Sequence, residues 1–102
     1  MPPINAKVNW DATLNKGTVA DIVVPAGNGA TVITWTCGTD VTGFTITGLD
    51  ASEFTPSQSG TNVPSFTTTD KNDVAQDYSY TVAATHSSGL TSSHDPKIEN
   101  GG

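Results

Sequence analysis

Apolar residues alternate with polar ones at a period of two along most of this chain. Tyr78, Tyr80, Val82 and Ala84 fall on one face of a segment whose other face carries Ser79, Thr81, Ala83 and Thr85. Successive side chains of a strand point to opposite faces, so this pattern predicts a half-buried strand. Ser87-Ser88-Gly89 then predicts a turn into a last strand, Leu90 to Ile98. Pro96 has no N–H to donate, so pairing is expected to stop there or lie at an edge. The same alternation predicts a first strand over Ile4, Ala6, Val8 and Trp10. A turn at Asn15-Lys16-Gly17 follows, then a strand from Val19 to Val24 with Ala20, Ile22 and Val24 inward. Pro25-Ala26-Gly27-Asn28-Gly29 breaks it, and Asn-Gly suits positive φ. Further strands are expected over Ala30–Cys37, around Phe44 and Ile46, and over Val63–Thr69 around Phe66. Leu49 to Pro64 is irregular, with Phe54 its one large apolar anchor.

No segment carries helical periodicity, and turn signals recur every few residues. The expectation is one all-β domain over residues 1–102, an antiparallel β-sandwich of about seven strands. Residues 99–102, Glu99-Asn100-Gly101-Gly102, are expected to form a flexible tail. The predicted core is Ile22, Val24, Ile33, Trp35, Phe44, Ile46, Phe66, Tyr78, Tyr80 and Val82.

Trp35 in the third strand and Tyr78-Ser79-Tyr80 at the start of the penultimate one resemble immunoglobulin-like domains. The run from Tyr80-Thr81-Val82 through Ser88-Gly89-Leu90 to Pro96-Lys97-Ile98 is similar to the final hairpin of bacterial immunoglobulin-like and polycystic-kidney-disease-type domains. The resemblance spans Val19 to Cys37 and Phe66 to Ile98. It implies a tryptophan packed between sheets and a corner at Tyr78, its hydroxyl bonded to the Asp70–Gln76 backbone. Tyr80 would stand where that family carries its second cysteine. The cysteine pair itself is missing, and Asn28-Gly29 leaves open a hairpin that would make a meander instead of a Greek key.

Composition narrows function mostly by exclusion. The net charge is −6, and the four cations are scattered lysines without any arginine. Nucleic-acid binding needs a clustered basic surface, so it is not expected. Cys37 is the single cysteine, which rules out an internal disulfide. The beginning has no basic n-region or apolar run, so the chain is expected to stay in the cytoplasm, to leave by another route, or to have had a leader removed. No segment approaches the roughly 20 apolar residues of a membrane span.

Candidate chemistry is sparse. Asp70, Asn72, Asp73 and Asp77 place four oxygen donors in a short stretch, a candidate calcium loop that lacks EF-hand spacing and contains Lys71. Trp10 is a candidate stacking platform for carbohydrate, against its role as a core residue in phase with Ile4 and Val8. Cys37, His86, His94 and Met1 are the soft metal ligands, but in an order unlike a blue-copper site. Ser93-His94-Asp95 holds the residue types of a triad, yet strand neighbours point to opposite faces. Glu53 and Glu99 are not placed together as an acid/base pair by anything in the sequence. The terminal Gly101-Gly102 ends as ubiquitin-like proteins end, without the helix such proteins need. No cofactor is expected. The expected function is a non-catalytic interaction or structural module of bacterial or phage type with a protein partner. The alternative is a small-ligand binder for carbohydrate or calcium.

Overall fold

The computed structural model describes residues 2–101 and is built of strands with no helix among them. The strands are β1 (Ile4–Asp11), β2 (Lys16–Thr18), β3 (Ile22–Val24), β4 (Thr31–Cys37), β5 (Val41–Thr47) and β6 (Phe54–Thr55). They continue as β7 (Ser65–Asp70), β8 (Ala75–Ser79), β9 (Thr81–His86), β10 (Thr91–His94) and β11 (Lys97–Gly101). Five form one sheet in the order β2-β1-β4-β7-β6, and two three-stranded sheets run β10-β9-β5 and β3-β11-β8. The fold is therefore all-β, and most of its pairings are antiparallel. The exceptions are β1 with β4 and β3 with β11.

Eleven segments replace the seven expected because several runs are interrupted. The penultimate strand divides at Tyr80 into β8 and β9, each half pairing within a different sheet. The last strand divides at Asp95-Pro96 into β10 and β11, so pairing does stop at the proline. The expected strand from Val19 to Val24 is likewise two pieces. Lys16–Thr18 pairs with β1, the chain crosses over 19–21, and Ile22–Val24 joins β11. The crossing resets the alternation, so Val19 is buried and Ala20 is exposed. β3 and β4 belong to different sheets, so the Asn28-Gly29 turn does not make a meander hairpin.

The expected tail is also corrected. Glu99, Asn100 and Gly101 belong to β11, paired with β3 on one side and β8 on the other. Backbone hydrogen bonds along both edges hold this segment, and Gly101 lies so close to the Ala26 backbone that a Cβ would collide. Gly102 lies outside the described residues, as does Met1.

All three sheets contribute to one apolar cluster. Every predicted core residue is in it, with Phe66 only partly buried. Val8, Trp10, Val41, Leu49, Phe54, Ala84 and Ile98 extend it. At its centre Trp35 stacks on Phe66, its register partner across β4 and β7, with ring centroids 5.8 Å apart. Trp35 also meets Tyr80 edge-on at 5.6 Å.

Candidate functional site

Inward positions of β7 are Phe66, Thr68 and Asp70, opposite Trp35, Ile33 and Thr31 of β4. The same face therefore passes from aromatic to polar within one strand length. Asp70 is fully buried at 0 % exposure, Glu53 is 4 % exposed and Asn100 6 %. Asn100 Nδ2 donates to Asp70 Oδ1 at 2.8 Å and to Glu53 Oε2 at 3.2 Å. Asp70 Oδ1 also accepts the Asn72 backbone N–H at 2.9 Å. Asn72 is buried, and its own amide donates to the Pro25 carbonyl at 3.1 Å. Asp70 Oδ2 and Asn100 Oδ1 are sealed from solvent and have no hydrogen-bond partner among the described residues.

Burial pushes the Asp70 carboxyl above the ordinary aspartate range, against the opposing hydrogen bonds from Asn100 and Asn72. Burial also pushes Glu53 up, helped by the neighbouring Asp73 carboxyl. The charges acting on these two groups are carboxylates, with no lysine among them.

The four residues of the expected calcium loop do not converge. Asp70 and Asn72 face inward, while Asp77 is exposed on the outer face of β8, in register with Glu99 of β11. Asp70 ends β7 and Asp77 lies in β8 of a different sheet, so the loop between them leaves the two side chains facing apart, which loop spacing alone does not reveal. Among the described residues no group of three or more His, Cys, Asp or Glu side chains is arranged to hold a metal ion. Cys37, His86 and His94 are accordingly not assembled. Burial raises the Cys37 thiol, His86 Nδ1 is 2.8 Å from the Ser88 hydroxyl, and His94 Nε2 is 3.2 Å from the Val19 carbonyl. The Asp95 carboxylate accepts from Thr81, so Ser93, His94 and Asp95 do not form a relay. Glu53 faces the interior and Glu99 lies on the outer face of β11, so they do not form a pair.

Trp10 is 7 % exposed and packs in the core, its ring centroid 4.8 Å from that of His86. A sugar platform needs an open ring face, and burial leaves this ring without one. The hydroxyl hydrogen bond expected at Tyr78 is found at Tyr80 instead. Tyr80 Oη accepts the Trp35 Nε1–H at 3.0 Å, and burial raises its phenol well above the usual range. The Tyr78 ring packs edge-on against Phe54 at 5.3 Å. Its hydroxyl has no partner among the described residues and is not sealed from solvent.

A second feature is a groove of about 620 Å³ between β1 and the 18–23 crossing, lined among others by Ile4, Ala6, Lys7, Val19, Ile22 and Val23. β2 covers β1 only from Asn9 to Asp11, so among the described residues the Ile4–Val8 edge away from β4 has no strand partner. Among the same residues β3 pairs with β11 alone, which leaves its other edge unpaired. The tight turn and the crossing create this gap, and the sequence carries no signal for it, since Ala20, Ile22 and Val24 keep apolar alternation straight through the crossing. The sequence weighs Glu53 only against Glu99 and puts Asn100 in a tail, and it does not bring either to Asp70. Extending the parity of Phe66 and Thr68 to Asp70, and of Ile98 to Asn100, marks two members of the Asp70–Glu53–Asn100 cluster. Among the described residues no helix is long and apolar enough to cross a membrane. No protein-family model matches the chain, and no curated protein matches it.

Proposed function

We propose that this chain is a non-catalytic interaction module with an immunoglobulin-like sandwich fold, of bacterial or phage type, that takes up an extended segment of a partner protein as an added strand. The fold reading is supported by strand order. In immunoglobulin sandwiches one sheet holds A, B, E and D and the other C, F and G. Here β4-β7-β6 resembles B-E-D, β5-β9-β10 resembles C-F-G, and β3 runs parallel to β11. Trp35 and Tyr80 then stand where the disulfide-bearing members carry their B–F bridge, and the indole–phenol hydrogen bond links the same two strands. The departure is β1, which inserts parallel to β4 between it and β2.

The observation that carries the function is the groove between two unpaired strand edges. Unsatisfied backbone N–H and C=O groups at an edge template the addition of another strand, and flanking apolar positions select alternate side chains. Val23, 61 % exposed on β3, is placed at its rim. The test is selection from a displayed library of extended peptides, followed by amide exchange of the complex. Selected peptides should protect the amides of Ile4–Lys7 and Ile22–Val23, and Val23→Asp should weaken binding at least tenfold, the loss of one buried valine. Peptides that protect only the loops, or a library that yields no binder, would refute the proposal.

A further inference from the structure

Two acceptors, Asp70 Oδ2 and Asn100 Oδ1, are buried without a donor, and they sit on residues already joined by one hydrogen bond. Each such group costs free energy, so their pairing on neighbouring residues needs a cause. We propose that Asp70 holds a proton in the folded domain and pairs with Asn100 as a cyclic carboxylic acid–carboxamide dimer. Asp70 Oδ1, which accepts two N–H donors, is then the carbonyl oxygen, and Oδ2 is the hydroxyl. The Oδ2–H donates to Asn100 Oδ1, while one hydrogen of Asn100 Nδ2 returns to Asp70 Oδ1. The second hydrogen of that nitrogen serves Glu53 Oε2. A single proton thus satisfies both orphan acceptors and removes one uncompensated buried charge.

The surroundings favour the protonated form. Glu53 lies on the other side of the shared amide, Asp73 follows in the same loop with its backbone N–H 3.4 Å from Glu53 Oε2, and Asp50 precedes Glu53 by one turn. Tyr78 of β8 is under the influence of these same carboxylates, which raise its phenol after burial does. Lys71 is exposed and bonds the Glu53 carbonyl through its backbone N–H. The pair ties the end of β7 to β11, so proton uptake tightens the hold on the last strand. Because the folded carboxyl lies above its unfolded value, the folded state binds more protons. This part of the stability is complete below the unfolded value and is lost as pH rises through the folded one.

The test is thermal unfolding across pH together with carboxyl carbon-13 titration of the intact domain. Wild-type protein should melt at higher temperature near pH 4 than near pH 7, a span chosen around the aspartate reference of about 3.9. Asp70→Asn supplies an N–H in place of the O–H and imitates the protonated pair. It should melt at or above wild type near pH 7 and show a flatter pH profile. Asp77→Asn, which removes an exposed charge, should keep the wild-type profile. The Asp70 carboxyl resonance should titrate above those of the exposed aspartates, a readout that does not depend on any variant folding. Titration of Asp70 at or below the ordinary range would overturn the proposal. So would a calcium-dependent rise in melting temperature near pH 7 that Asp70→Asn abolishes, since the orphan oxygens would then serve a cation.

Discussion

The inner faces of β4 and β7 hold two opposite kinds of interior within four residues of each other. At one end Trp35 stacks on Phe66, and at the other Thr31 lies opposite Asp70. Trp35, Thr31 and Asp70 are each fully buried. The aromatic end gains from area removed from water, a term that is non-directional and tolerant of small displacements. The polar end gains only where each donor meets an acceptor, and it loses wherever one does not. Equal burial therefore does not mean equal sensitivity. The aromatic end should register lost volume, and the polar end should register lost protons and lost single atoms.

The largest effect expected at the aromatic end is Trp35→Ala. It removes the ring that Phe66 and Tyr80 pack on and leaves a cavity, for a cost of about 3–5 kcal/mol. That is enough to unfold a marginal domain. Urea unfolding with an unchanged slope would measure it, and a cost below about 1 kcal/mol would break the picture of Trp35 as the centre. At the polar end Asn100→Ala deletes one donor shared by two carboxyl groups. The bond to neutral Asp70 contributes about 0.5–1.5 kcal/mol and the one to Glu53 about 1.5 kcal/mol or more, so a loss of roughly 2–3 kcal/mol is expected from a far smaller side chain. If Asn100→Ala proved neutral, the polar end would be slack and the contrast would fail.

The two ends also differ in how far the sequence discloses them. Alternation identifies Ile33, Trp35, Phe44, Ile46, Tyr80 and Val82, because an apolar residue in phase with a strand has one sensible destination. Asp70 reads as part of an acidic loop with Lys71, Asn72 and Asp73, because a charged residue after a strand ordinarily caps a turn. Only the Asp70 partners reverse that reading, and Glu53 and Asn100 lie 17 and 30 residues away along the chain. Local pattern holds no record of such meetings. The Asn100 case is sharper, since Glu99-Asn100-Gly101 has tail-like composition and is held by pairing on both edges. The edge groove is not legible, because Ala20, Ile22 and Val24 alternate as one strand would and nothing local marks the crossing between sheets.

The tyrosine pair gives a finer version of the same comparison, since both rings are buried and only one hydroxyl is engaged. Tyr80→Phe leaves the Trp35 indole N–H without its acceptor in a sealed position. A cost of about 1–2 kcal/mol is expected, with unchanged ring packing.

Tyr78→Phe should have the smallest effect, within about 0.5 kcal/mol of wild type. The ring stays against Phe54, and the hydroxyl that is lost has no partner among the described residues and is not sealed from solvent. Deleting such a group changes little, because no protein–protein hydrogen bond disappears and no buried atom is orphaned. A tyrosine corner would demand the opposite result, a loss of the same size as that at Tyr80. Side-by-side urea denaturation of the two variants therefore separates the arrangements. If Tyr78→Phe cost as much as Tyr80→Phe, the hydroxyl of Tyr78 would have a protein partner. The link between β4 and the penultimate strand would then no longer rest on Tyr80 alone.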